Sequence, residues 1–214
     1  MRIKRGAPGA GVPAWGLGSA VLAPVLLIGG WTVAAAIQPQ PFDSRRETIS
    51  QLAALGMPHR FVMTVALAGL GLCHIVTATA LRPVATAGRS ILALAGLATA
   101  LVATNPLPRQ GGSALHTATA TVSFVGLSLW PALASPAGTR RRGPTVLGRP
   151  LSLAAAAVLT ALLLWFFLTL QSGSPQLGLA ERMAAGAQAL WPLAVVVALR
   201  RRRPVARWGT PGGL

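Results

Sequence analysis

Long apolar stretches separated by short polar turns are the feature that most constrains what this chain can fold into. Hydrophobic residues make up 53% of the 214 residues and charged residues only 10%, against roughly 25% charged residues in soluble globular domains. So few charges cannot cover the surface of a soluble protein of this size, whereas a bilayer requires an apolar exterior. We therefore expect an all-α, polytopic membrane protein.

Six apolar blocks are candidates for membrane-spanning helices. They cover residues 15–37, 61–81, 90–104, 114–134, 151–170 and 179–199. The third is short, because about 20 residues are needed to cross the hydrocarbon. The expected fold is a single bundle of six transmembrane helices over 15–200, with disordered basic ends at 1–14 and 201–214. Small residues such as Gly69 and Gly96 predict close packing between its helices.

The basic residues predict the orientation of this bundle. With six spans both termini lie on one side, and that side then carries 14 of the 19 Lys and Arg residues. The other side carries Arg45, Arg46, Arg60, Arg109 and Arg182. Because cytoplasmic segments hold the excess of basic residues, we expect a multi-pass protein of the cell membrane with both termini in the cytoplasm. The expected partners are membrane lipids and not nucleic acid, because the basic residues form no continuous polar face.

Motifs for cofactor or metal chemistry are missing from the sequence. The single cysteine, Cys73, lies inside an apolar block, so neither an intrachain disulfide nor a cysteine metal cluster is predicted. The chain has no Walker loop and no dinucleotide fingerprint, and Ser50 has no G-x-S-x-G context. We expect no cofactor and no metal site.

The stretch 41–56 concentrates acidic charge on the predicted outer face. It holds Asp43 and Glu47, two of the three acidic residues in the chain. Ser44 and Glu47 match the capping-box pattern at a helix start. The predicted apolar side of this helix consists of Ile49, Leu52, Ala53 and Leu55. We expect a short amphipathic helix that lies on the outer face between the first two spans.

Two further turns are predicted to reach the same face. The loop 105–112 leads to His116 on the first turn of the fourth span, and the loop 171–175 leads to Glu181 and Arg182 on the first turn of the sixth. Neighbouring residues on a helix point in different directions, so these two charges are expected to have separate partners.

Ion pairs between these elements are expected to hold the outer helix on the bundle. The expected partners of Arg182 are Asp43 or Glu47. The expected partners of Glu181 are Arg45, Arg46 or Arg109.

Three functional interpretations stay open. The first is a non-enzymatic membrane protein whose outer polar face binds a ligand, a lipid head group or a partner. The second is a membrane-embedded hydrolase or transferase that acts on a lipid-like substrate at the outer leaflet. The third, a small transporter, is the least favoured, because coupled carriers place carboxylates near the bilayer midplane.

The candidate residues follow from these interpretations. The catalytic candidates are His116 as a general base, with Asp43, Glu47 or Glu181 to orient it. The candidates for ligand binding are Arg45, Arg46, Arg109, Arg182, Ser50 and Asn105. His116 has an alternative role as a hydrogen-bonded residue that closes a helix end. His74, deep in the second block, is either a polar contact between helices or a functional group.

The arrangement resembles the domain-of-unknown-function 998 family of bacterial and archaeal integral membrane proteins. The residues that carry the resemblance are 43–56 after the first span, Asn105 to Pro108 with His116, and Gly178 to Arg182 at the start of the sixth. Members of this family often have an acidic residue after the outer proline of the third span, where this chain has Arg109. The resemblance implies a fold and a membrane location but no activity.

Overall fold

Helices form all the regular structure in the computed structural model, which describes residues 11–135 and 148–201. The helices are α1 Ala14–Ala36, α2 Ile49–Leu52, α3 Phe61–Ala80, α4 Thr86–Thr104, α5 Ala114–Leu129, α6 Arg149–Ser172 and α7 Leu177–Arg201. A 3₁₀ turn, Trp130–Leu133, follows α5. Most of the two predicted disordered ends, residues 1–10 and 202–214, lies outside the described ranges.

Five of these helices, α1, α3, α4, α6 and α7, are long and apolar enough to cross a membrane. The chain therefore has the character of a helical membrane protein. The predicted count of six spans is not confirmed by helix length, because the fourth block consists of the 16-residue α5 and the four-residue 3₁₀ turn.

The third predicted block, 90–104, belongs to a longer helix than the sequence indicated. Helix α4 begins at Thr86 and has 19 residues. Its first turn includes Arg89, whose Nε donates a hydrogen bond of 3.0 Å to the carbonyl of Ala78 near the end of α3. This hydrogen bond gives the guanidinium a partner, so the charge of Arg89 does not prevent the helix from starting before residue 90.

Helices α3 and α4 approach each other closely at a pair of glycines. A methyl group added at Gly71 would lie 2.5 Å from the carbonyl oxygen of Gly96 and 2.6 Å from the backbone nitrogen of Ala100. These small residues let the two backbones come into direct contact, as the sequence predicted for Gly96. The close contact between α3 and α4 places His74, one turn beyond Gly71, in the interior of the bundle.

The predicted amphipathic helix is reduced to one helical turn, α2. Ile49, Leu52 and Ala53 are buried as predicted, whereas Leu55 is 45% exposed and not part of the apolar side. The capping box predicted at Ser44 is wrong. Thr48 caps α2 instead, since its Oγ1 accepts from the N–H of Gln51 at 3.1 Å.

A separate turn formed by acidic residues explains this shift of the helix start. The N–H of Arg45 donates to Asp43 Oδ1 at 3.0 Å, and the N–H of Asp43 donates to Glu47 Oε2 at 2.7 Å. Both carboxylates therefore hold the turn that precedes α2. We refer to the turn together with α2 and its C-cap as the 43–53 segment.

Candidate functional site

Three segments distant in sequence meet at the end of the bundle where the 43–53 segment lies. The N–H of Leu179, at the start of α7, donates to the carbonyl of Arg45 at 3.0 Å. The N–H of Leu55 donates to the carbonyl of Leu107 at 2.8 Å. The sequence predicted that these segments come together, but it expected ion pairs and not backbone hydrogen bonds to join them.

Arg182 fastens the 43–53 segment to α7. Its Nη1 donates to the carbonyls of Ser44 and Glu47, both at 2.7 Å, and to that of Gly178 at 3.0 Å. The guanidinium carbon lies 5.9 Å from the ring centre of Trp31 and 5.8 Å from that of Phe42. The hydrogen bonds from the guanidinium of Arg182 are stronger than those between neutral groups, because the donor carries a charge.

The predicted ion pairs of Arg182 with Asp43 or Glu47 are wrong. Within the described ranges the one ion pair shorter than 4.0 Å joins Arg46 to Asp43, at 3.4 Å on the surface. The carboxylates of Asp43 and Glu47 are engaged by N–H groups of their own turn, which leaves the carbonyls of the turn to accept from Arg182.

The absence of a side chain at Gly178 permits this contact. A methyl group there would lie 2.8 Å from the carbonyl oxygen of Ser44 and closer still to that of Glu47. These are backbone atoms that cannot move aside without displacing the turn. Gly178 thus allows the 43–53 segment to rest directly on the first turn of α7.

Glu181, one residue before Arg182, points into the bundle. It is 3% exposed. Its carboxylate accepts hydrogen bonds from the N–H of Ile49 and, at 3.2 Å, from the Oγ of Ser50. The predicted pairing with Arg45, Arg46 or Arg109 is wrong, since those three side chains are exposed. On the first turn of α7, Arg182 therefore points outward to backbone carbonyls, whereas Glu181 points into the bundle.

The inward charge lies at a cavity of about 50 Å³ lined by residues of α1, α2, α3, α4, α5 and α7. Its polar lining consists of Ser50, His74, Thr99, Ser123, Glu181 and Gln188. Glu181 and Gln188 are two turns apart on α7, so they are separated by about 10 Å along the helix axis. Because one water-sized probe needs about 10–15 Å³, the cavity has room for only a few groups of that size.

Two of the lining side chains have hydrogen-bonding atoms without a partner in the described parts of the chain. His74 and Gln188 are both 0% exposed. Neither ring nitrogen of His74 has a partner, and neither does Oε1 of Gln188. Leaving such an atom unpaired costs about 1–3 kcal/mol. Other buried atoms without a partner in the described residues belong to Trp130 and Arg182, but those of His74 and Gln188 share one cavity with a carboxylate.

The remaining polar atoms of the lining are paired within the bundle. Gln188 Nε2 donates to the carbonyl of Phe124 and to Ser128 Oγ, both at 2.9 Å. The hydroxyls of Thr99 and Ser123 lie 2.6 Å apart. These contacts fix the side chain of Gln188, so that its free oxygen has a set position.

His116 lies outside this cavity. Its Nδ1 is 2.8 Å from the carbonyl oxygen of Asn105, so this nitrogen carries the proton and donates it. No carboxylate of the described chain lies within 4.0 Å of the ring. The amide of Asn105 in turn donates to the carbonyl of Leu101 at 2.7 Å. Of the two roles predicted for His116, closing a helix end agrees with these contacts.

The other predicted site residues are spread over the surface of this end. The guanidinium of Arg109 lies over Gly56, whose φ of +82° and missing side chain allow that approach. Arg45 contributes its backbone carbonyl to the contact with α7. Within 11–135 and 148–201, no group of three or more His, Cys, Asp or Glu side chains is placed to hold a metal ion.

Sequence reasoning missed three of the six polar residues that line the cavity: Thr99, Ser123 and Gln188. A signal for Gln188 was present, because it is the one amide residue in the middle of an apolar block. Buried amides in membrane helices usually make contacts between helices. Thr99 and Ser123 carry no comparable signal, since hydroxyl residues are common throughout these blocks.

Comparison with known protein families gives a match over most of the chain. The model of a family described as "Protein of unknown function (DUF998)" matches residues 21–198. No curated protein and no solved structure matches the chain. The family match runs from α1 to α7 and includes the 43–53 segment and every residue that lines the cavity. Since it covers most of the sequence, the chain belongs to the DUF998 family of proteins of unknown function.

Proposed function

We propose that this protein is a non-enzymatic membrane protein that binds a small polar ligand in the cavity beneath the 43–53 segment. The observation that carries the proposal is the set of unpaired atoms on His74 and Gln188, which line one cavity with the carboxylate of Glu181. Folding would favour apolar side chains at these positions, because buried polar groups without partners destabilise a protein. A ligand that pairs with these atoms accounts for their presence.

Six spans and cytoplasmic termini belong to the same proposal. Helix α5 has 16 residues and the 3₁₀ turn has four, which together extend roughly 32 Å. That length is close to the 30 Å or so of a hydrocarbon core. With α5 as a span, the basic residues favour an extracytoplasmic position for the 43–53 segment.

The geometry supports binding better than catalysis. An enzyme with His116 as its base needs a carboxylate or another group to orient the ring, and the ring donates instead to the Asn105 carbonyl. The cavity of about 50 Å³ is also too small for a lipid-like substrate. Binding of a small ligand requires only that the 43–53 segment move aside to admit it.

Thiol labelling tests whether the cavity opens to solvent. Cys73 is the single cysteine, so a Cys73→Ala background gives a chain without thiols. In this background Ser123→Cys places a thiol in the cavity lining. We expect methyl methanethiosulfonate, which transfers only a methylthio group and so suits a cavity of about 50 Å³, to label it when added outside intact cells. Arg182→Gln should accelerate labelling, because it loosens the 43–53 segment.

Ala98→Cys is the matched control. Ala98 is buried in the same helix as Thr99 and does not line the cavity, so it should stay unlabelled until the protein is denatured. If Ser123→Cys also reacts only after denaturation, with or without Arg182→Gln, the cavity is permanently closed and the proposed binding function is wrong.

A further inference from the structure

Among the described residues, the formal charge in the lining of the cavity is negative. Glu181 is the one carboxylate in the lining, and no Lys or Arg belongs to it. Its neighbour Arg182 points away from the cavity, toward the carbonyls of the 43–53 segment. Of the remaining titratable groups, His74 lines the cavity, whereas Cys73 packs in the apolar core beside it. Arg182 therefore offsets the charge of Glu181 only from outside the cavity, and an anion inside the cavity would meet a carboxylate before any basic side chain.

The free hydrogen-bonding positions are mainly those of acceptors. Each carboxylate oxygen of Glu181 receives one side-chain or backbone donor, although an oxygen of this type can accept two. Oε1 of Gln188 accepts none. The two donors to Glu181 are neutral, so they compensate its charge only partly, and a buried carboxylate gains from a positive partner.

The size of the cavity limits what that partner can be. A space of about 50 Å³ accommodates an ion close to a water molecule in size, with one or two waters beside it. An organic amine with more than about three non-hydrogen atoms does not fit without enlarging the cavity. One carboxylate balances a single positive charge.

We infer that the cavity is a site for a small monovalent cation, of the size of sodium, potassium or ammonium. The carboxylate of Glu181 supplies the charge, and Oε1 of Gln188 and one nitrogen of His74 supply acceptors deeper in the cavity. This inference rests on the proposed function, because it names the class of ligand for the same cavity.

Cation-dependent stability tests the inference on the purified full-length protein in detergent. Thermal unfolding is measured in the chlorides of sodium, potassium and ammonium and in that of N-methylglucamine, all at one ionic strength. At 100 times the dissociation constant, a bound cation should raise the unfolding midpoint by roughly 5–10 °C relative to N-methylglucamine. The three small cations compared with one another identify the one that is preferred.

Glu181→Gln should abolish the difference between small and large cations. Glu47→Gln is the matched control, since Glu47 lies at the same end of the bundle but does not line the cavity, and it should keep the full difference. If Glu181→Gln does not fold, the labelling rate of Ser123→Cys replaces it: with Glu181 intact, the preferred cation should slow labelling several-fold.

The two proposals fail in distinguishable ways. If the wild type unfolds at one temperature in all four salts and Ser123→Cys is labelled at one rate in all of them, the inferred cation site is wrong, while labelling itself still supports a cavity that binds a neutral ligand. If Ser123→Cys is never labelled in the folded protein, both proposals are wrong.

Discussion

Glu181 and Arg182 are adjacent in sequence but belong to two very different polar regions. Arg182 uses one nitrogen to hold three carbonyls, two of which belong to the 43–53 segment. The cavity around Glu181 contains polar atoms of His74 and Gln188 that form no hydrogen bond with the described residues. Arg182 is half-buried, and its Nε and Nη2 also lack partners in the described residues, but its Nη1 joins separate parts of the chain.

The difference lies in whether the hydrogen bonds join separate parts of the chain. At Arg182 each bond links α7 to another segment or to its own first turn, and losing the side chain would leave carbonyls unpaired. In the cavity the free atoms already lack partners, so losing them would leave nothing unpaired. Substitutions in the two regions should therefore change stability in opposite directions.

The largest effect is expected from Arg182→Met, which keeps much of the apolar stem but removes the guanidinium. It should lower the free energy of unfolding by about 3 kcal/mol, because hydrogen bonds to a charged group contribute about 1.5–3 kcal/mol and the carbonyls lose their donor. Thermal unfolding in detergent measures this change. Arg45→Met is the control, since the Arg45 side chain is exposed, and its midpoint should stay near that of the wild type. Equal effects of the two substitutions would show that Arg182 does not fasten the 43–53 segment.

Gly178→Ala tests the same contact from the opposite side. The added methyl would approach the carbonyl oxygens of Ser44 and Glu47, and overpacking of this kind costs about 1–3 kcal/mol. Thermal unfolding again reports the loss, and labelling of Ser123→Cys should become faster as the segment is displaced.

Gly186→Ala in the same helix is the matched control. Its methyl would meet only Trp31, at an ordinary contact distance of 3.5 Å. Because alanine favours helix over glycine, this variant should be neutral or slightly more stable. A stable Gly178→Ala protein with unchanged labelling would show that the close approach is not required.

The bounds of most long apolar helices could be predicted from the sequence, whereas the polar contacts between the helices could not. Helices α1, α3, α6 and α7 begin and end within two residues of predicted blocks, because hydropathy in a bilayer depends on length and composition alone. Which group pairs with Glu181 depends on how deep its carboxylate lies in the bundle. Charge complementarity favoured an arginine, but the N–H of Ile49 reaches the carboxylate at a level the surface arginines do not.

The start of α2 shows the same limit at a smaller scale. The sequence contains two capping boxes in tandem, at Ser44 with Glu47 and at Thr48 with Gln51. Local pattern does not choose between them. Tertiary contacts do, since the N–H groups in the first turn of α2 face Glu181 and the earlier turn is held by Asp43.

In the cavity, substitution of an unpaired polar side chain is expected to raise the free energy of unfolding, whereas Arg182→Met and Gly178→Ala lower it. His74→Leu replaces a buried ring with two unpaired nitrogens by an apolar side chain, and it should raise the free energy of unfolding by about 1 kcal/mol in a buffer of N-methylglucamine chloride. Thr77→Val, one turn further along α3, is the control. Thr77 is equally buried, but its hydroxyl lies 2.7 Å from that of Ser19, so this variant should lose about 1 kcal/mol. A loss of stability in His74→Leu would mean that the imidazole has a structural partner.

The smallest effect is expected at the two competing caps. Thr48→Ala removes the side chain that accepts from the N–H of Gln51, and such a loss typically costs about 1 kcal/mol. Ser44→Ala should change nothing measurable, because the hydrogen bonds that Ser44 makes with residues 11–135 and 148–201 involve its backbone. Thermal unfolding of the two variants side by side separates the alternatives. If Ser44→Ala is the more damaging of the two, the helix starts where the first capping box predicts. Glu47 would then cap that helix, and the turn that presents its carbonyls to Arg182 would not form.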